Sequence, residues 1–145
     1  MDGRSLYDQD FFEWTQCNAA LLRAGCFDQA DIEHIAAELE DMGKRDQREL
    51  ESRLQVLLAH LLKWKHQPEK RSSSWESTID TQRDEIERLL RQATSLRRSI
   101  ADALSGVYRK TVRDAARETR LGRSVFTEVC PFTMDEILDE EFLPE

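Results

Sequence analysis

LESRLQVLLAHLLKWKHQPEKRSSSW, from Leu50 to Trp75, decides the fold. Leu50, Leu54, Leu57, Leu58, Leu61, Leu62 and Trp64 recur at three- and four-residue spacings, the period of a helix with one broad buried face. No Gly or Pro interrupts the run before Pro68. A helix from Asp46 to His66 would extend about 30 Å at ~1.5 Å per residue, enough to cross a small domain. So apolar a helix needs cover on most sides. It is expected to be the central rod, with the rest of the chain wrapped around it.

The flanking segments keep the same period. Tyr7, Phe11, Trp14, Asn18, Leu21 and Leu22 follow helical spacing, with Asp8 as N-cap and Gly25 as the stop. Phe27 is expected to close the turn that follows. Asp28 or Asp31 then opens a second helix with Ile32, Ile35, Ala36, Leu39 and Met42 as its buried stripe. Gly43 either kinks or ends that helix, so continuity between residues 28–42 and 44–66 stays open. Past the rod, His66-Gln67-Pro68 breaks the helix, because Pro lacks an amide hydrogen and restricts the residue before it.

Any of Ser72, Ser73 and Ser74 can cap the next helix, and Ser73 with Glu76 has capping-box spacing; Trp75, Ile79, Gln82, Ile86, Leu89, Leu90 and Ala93 keep the period, with Gln82 either at the stripe's margin or satisfied inside. Thr94 or Ser95 starts a further helix, which Leu121-Gly122 ends. It contains Gly106, at about 1 kcal/mol of helix propensity. Residues 126–131 read as irregular. Thr133 and Glu136 form a second capping box ahead of Ile137 and Leu138. The expectation is an all-α, single-domain irregular bundle over 1–145, with five or six helices and loose ends at 1–6 and 143–145.

Composition narrows the class. The 145 residues are 34% charged, yet the charges interleave with a regular apolar period that disordered chains lack. Three cysteines cannot all pair within one chain and form no CxxC, which favours a reducing setting. The start, MDGRSLYDQDFFEW, has no basic-then-apolar signal pattern, and no apolar run reaches the ~20 residues of a membrane span. A cytoplasmic protein without membrane partners is expected. The net charge of −8 conceals a layout: residues 1–62 carry 6 basic and 13 acidic residues, 63–123 carry 15 and 9, and 124–145 carry 7 acids alone. Either the basic middle meets a polyanion, or it pairs with the acidic ends inside one fold.

YDQDFFEW at 7–14, the block from Ile35 through Trp75, TIDTQRDEI at 78–86 and CPFTMDEILDEEFLP at 130–144 together resemble the bacterial and cyanobacterial domain of unknown function numbered 29. The resemblance implies a compact all-helical fold. It carries no activity, cofactor or site residue to transfer.

Chemistry has several footholds. His60 shares a helix side with Arg53, Leu57 and Trp64, so it is either a core histidine on a structural hydrogen bond or a general base or pH switch. His34 and Glu38, at i and i+4, could hold a metal, but Asp31-x-x-His34 lacks the second motif that paired bundle sites use, and no metal or other cofactor is expected. GxSxG, GxGxxG and Walker A patterns are absent. Lys63, Lys65, Lys70 and Arg71 cluster about Pro68 beside Trp64 and Trp75, the pairing of cations with rings that binds single-stranded nucleic acid. A second set, Arg109, Lys110, Arg113, Arg117, Arg120 and Arg123, lines the late helix, interleaved with Asp114 and Glu118. Both tryptophans also fit apolar stripes and are expected to be largely buried.

The sequence leaves the biochemical function unknown and leans away from catalysis. Its first reading is a protein-interaction or regulatory module binding itself or another protein. The alternatives are a nucleic-acid-associated regulator using 63–123, and an enzyme or metal site centred on His60.

Overall fold

The structure is a computed structural model that describes residues 6–145. Five α-helices follow in order: α1 (Phe11–Arg23), α2 (Ile32–His66), α3 (Ser73–Gln92), α4 (Leu96–Thr119) and α5 (Met134–Leu138), with 3-10 turns at Pro68–Lys70 and Arg123–Val125. There is no strand among the described residues, and the fold is all-α as expected. The helix continues through Gly43, so α2 is one element. Two compact units emerge, the residues up to Arg45 and Asp46–Glu145. Of the expected loose start, residues 1–5 lie outside the described part.

In the second unit the leucine stripe is the core. Leu50, Leu54, Leu57, Leu58, Leu61 and Leu62 are completely buried. Fully burying one such side chain stabilises a fold by about 1.5–3 kcal/mol relative to leaving it exposed. Ile79, Ile86, Leu89 and Leu90 of α3, Ile100, Val107 and Ala115 of α4, and Ile137 of α5 close over it.

Local chemistry sets the element ends. Of the three serines expected to cap α3, Ser72 takes the N-cap position, its Oγ accepting the Trp75 amide at 3.2 Å. Thr133 and Glu136 make the expected reciprocal capping box, at 3.1 and 3.0 Å. Arg83, not Gln82, is the buried polar member of α3. Its Nε donates to the Ile137 carbonyl at 2.8 Å and its Nη2 to that of Glu136 at 3.4 Å, satisfying the end of α5. Gln82 stays partly exposed and accepts from Arg53 at 3.3 Å. The end of the chain, expected to be loose at 143–145, has Pro144 buried, and the Pro144 carbonyl accepts from Arg71 Nη2 at 3.3 Å.

The first unit is α1 and the start of α2. Asp10, rather than Asp8, caps α1, its Oδ1 accepting the Glu13 amide at 3.0 Å. At the other end Gly25 takes φ +75°. The Cys26 amide reaches the Leu21 carbonyl at 2.9 Å and the Gly25 amide that of Leu22 at 3.1 Å, the paired bonds of a Schellman stop. Phe27, expected to close the next turn, has an exposed ring.

The α2 stripe departs most from expectation. Ile32, Leu39 and Met42 belong to its apolar stripe, and they are 50%, 62% and 55% exposed. Amphipathic spacing supplies an apolar face without supplying its cover, and α1 is the only other helix among the described residues of this unit.

Truncation should separate the two stripes. Leu58→Ala is expected to cost about 2–5 kcal/mol in denaturant unfolding, whereas Leu39→Ala should stay within about 0.5 kcal/mol. A comparable loss at Leu39 would show that its face is covered.

Candidate functional site

The residues bracketing Pro68 do not form one open surface. Lys63 Nζ lies 2.7 Å from Glu118 Oε2 of α4 and 5.9 Å from the Trp75 ring centre. Arg71 Nε donates to the Trp64 carbonyl at 2.8 Å, and its guanidinium lies 5.2 Å from the Trp64 ring centre. Trp64 and Trp75, expected to be largely buried, are both half-buried. Each sits where an apolar stripe reaches the surface, with a cation within range of its ring. Only Lys65 and Lys70 of this group are fully exposed. Much of its positive charge is therefore spent inside the fold.

His60 is half-buried on α2, its Nδ1–H donating to the Val56 carbonyl at 2.8 Å. It lines a shallow cleft of about 260 Å³ with Lys63, Asp114 and Glu118. Burial holds its pKa below the ordinary 6.5; the Val56 carbonyl opposes that, Lys63 adds to it and Glu118 opposes it. A hydrogen bond from Gln55 to Asp114 at 2.8 Å braces the same side. The neutral ring is the favoured form.

A denser polar cluster forms in the first unit around Asp31. This buried carboxylate accepts from Trp14 Nε1 at 3.0 Å and from His34 Nδ1 at 2.6 Å, while its amide donates to Asn18 Oδ1 at 2.8 Å. Asn18 Nδ2 in turn donates to the Trp14 carbonyl at 2.9 Å. Burial pushes the Asp31 carboxyl up, but the bonds from His34 and Trp14, with the His34 amide and charge, together carry it below its ordinary value. Tyr7 stacks on the His34 ring, 3.8 Å between centres, and its hydroxyl donates to Glu38 Oε1 at 2.5 Å. That bond, then burial and the nearby acids Glu38, Asp41 and Asp8, push the phenol up to about 12, so it stays a neutral donor.

Sequence spacing picked out Asp31, His34 and Glu38, but as possible metal ligands. In the structure Asp31 and Glu38 turn to different partners, Trp14 and Tyr7 with His34 between, and no group of three or more candidate ligands converges among the described residues. Nor does any serine, threonine or cysteine hydrogen-bond the His34 ring among the described residues, which leaves the dyad without a nucleophile in place. What the arrangement does is clamp α1 to the first turn of α2. The Trp14 partner was invisible in sequence, because a 17-residue separation carries no periodic signal.

The second basic set is arranged differently. Arg109, Lys110, Arg113 and Arg123 point from α4 and the following turn around an open cleft of about 540 Å³. Arg117 and Arg120 are also exposed and do not line it. No described helix is long and apolar enough to cross a membrane.

A family sequence model described as domain of unknown function DUF29 matches residues 6–143. No curated protein and no solved structure matches.

Two measurements follow from this geometry. Asp31→Ala strips the buried Trp14 indole of its acceptor, a loss of about 1–3 kcal/mol. Amide exchange should accelerate across Phe11–Arg23 and stay unchanged across Leu50–Leu62; equal acceleration in both would mean that the two units open together. For His60 the lowered pKa means that the unfolded chain binds the proton more readily. Its contribution is complete above about pH 6.5, the ordinary value, and is lost as pH falls toward the folded pKa. His66 has the same sign, from burial and Lys65. The melting temperature should therefore drop between about pH 7 and 5, and His60→Gln should make that drop shallower. An unchanged slope would refute the assignment.

Proposed function

The chain belongs to the family described as domain of unknown function DUF29, and we propose that it works as a non-enzymatic protein-interaction module. One observation carries the reading: of nine large apolar side chains that stand exposed among the described residues, seven lie between Phe11 and Met42. Three of these, Ile32, Leu39 and Met42, follow one face of α2 with the half-buried Ile35. Apolar side chains gathered along one face are the usual mark of a docking surface. Glu33, Glu40 and Asp41 interleave with the stripe as exposed acids, which suits a partner with an apolar centre and a basic border.

His34 and His60 support a non-catalytic role, since each commits a ring nitrogen to a structural hydrogen bond. Three free cysteines agree with a reducing, cytoplasmic setting. The competing nucleic-acid reading, which draws on residues 63–123, loses Lys63 and Arg71 to internal partners but keeps Lys65, Lys70 and the exposed cations between Arg109 and Arg123.

Leu39→Glu tests the proposal. Leu and Glu have similar helix propensity, so the melting temperature should hold within a few degrees. Self-association measured by light scattering, or recovery of a protein partner from a bacterial extract, should fall at least tenfold. Recovery that disappears with nuclease and ignores Leu39→Glu would favour nucleic acid instead.

A further inference from the structure

Gly106 stands in the interior of α4, where glycine is the poorest residue after proline. Close packing does not require it: a Cβ built there meets no atom within 4 Å. What lies beside it is the 540 Å³ cleft, and a side chain at 106 would project into open space. Val112, Tyr108 and Phe126 line the interior of this cleft, and Arg109, Lys110, Arg113 and Arg123 supply its charge. Arg113 has only a long contact to its neighbour Asp114, at 3.8 Å, and the other three cations have no ion pair among the described residues.

A second cleft, of about 520 Å³, adjoins the first and shares Tyr108, Arg109 and Glu128 with it. Its remaining wall is largely apolar, with Leu104, Val129, Cys130 and Phe132. Val129 is the most exposed large apolar side chain among the described residues, at 77%. Burial holds the Cys130 thiol above its ordinary pKa, with Glu136 adding to this against a backbone hydrogen bond from Phe132, so that wall stays uncharged. The two clefts thus make one groove beside α4, about 18 Å long from Ala101 to Arg113 at ~1.5 Å per residue. Its outer wall is fixed, because Tyr108 donates to the Thr127 carbonyl at 2.7 Å and buried Phe126 packs edge-on against His66.

We propose that this groove binds a soluble amphipathic anion, a single alkyl or acyl chain ending in a carboxylate or phosphate. The head lies among Arg109, Lys110, Arg113 and Arg123, and the chain runs past Tyr108 toward Leu104 and Phe132. Each compartment falls within the ordinary range for small-molecule sites, and the split between a cationic and an apolar end matches a ligand divided in the same way. The site is independent of the exposed stripe on α2, so either can fail without the other.

Octyl phosphate, kept below its micelle concentration and titrated calorimetrically into the full chain, is the probe. It should bind at least tenfold more tightly than inorganic phosphate or uncharged octyl glucoside. Arg109→Gln with Arg113→Gln should weaken it at least tenfold, with helicity by circular dichroism unchanged. Gly106→Leu should weaken it at least tenfold while the melting temperature stays level or rises, which separates filling the groove from damaging the fold. Octanoate in place of octyl phosphate reports which head group is preferred, and binding of either one supports the site. The proposal is overturned if neither probe binds, if inorganic phosphate binds as tightly, or if the variants bind like the parent. Association with phosphatidylglycerol vesicles without binding of the soluble probes overturns it in favour of a membrane surface.

Discussion

Burial of the α2 leucines between Leu50 and Leu62 is the constraint on which the second unit depends. Six side chains reach zero exposure along one helix, and α3, α4 and α5 each turn an apolar face toward them. The polar devices of this unit are arranged around that fact. Arg53 and Arg88 meet Glu49 and Glu85 across the α2–α3 seam, while Lys63 and Gln55 reach the acids of α4. Exposed pairs of this kind contribute little to stability individually, typically a fraction of about 1 kcal/mol. Their effect is on register: they reward one rotation of each helix about the rod and penalise others. Arg83 does the same at the far end, where a buried guanidinium satisfies the carbonyls that a five-residue helix leaves open.

The first unit is held by other means. Among its described residues there is no leucine core, and the buried ones are Trp14, Asn18, Ala30 and Asp31. A carboxylate that receives an indole, an imidazole and a backbone amide replaces the apolar interior, with Tyr7, Phe11 and Trp14 packed around it as an aromatic cluster. Such a network is directional, so it fixes α1 on α2 without needing much buried area. The apolar side chains that a larger core would have consumed stay outside. That division of labour leaves a protein whose stability and exposed apolar surface reside in different residues, an arrangement suited to a module that binds through one part and folds through another.

Charge is divided in a similar way. Of the cations near Pro68, Lys63 is paired with Glu118 and Arg71 is held by main-chain carbonyls and the Trp64 ring, while Lys65 and Lys70 stay exposed. Those around residues 109–123 face an open groove opposed by the single carboxylate of Glu128. Residues of one type, equally basic in composition, thus serve as structural braces in one place and as free positive potential in another.

The sequence by itself determined most of what depends on near neighbours in the chain, the α1 cap at Asp10 and the continuity of α2 through Gly43 excepted. The 3.6-residue period identified the all-α class, the leucine rod and the face of each later helix, and Gly25, Pro68 and the Thr133–Glu136 pair marked element ends through rules confined to a few residues. Family resemblance ran along the same lines, and the match over 6–143 agrees with it. The tertiary structure decided what depends on a distant partner. Ile32, Leu39 and Met42 have the spacing of a core stripe and are exposed, because spacing specifies a face while burial needs a second surface against it. Trp14 with Asp31, Arg83 with Ile137 and Lys63 with Glu118 join residues 17, 54 and 55 positions apart, where no periodicity can point. The groove beside α4 is of the same kind, since an open space exists only between elements once they have packed.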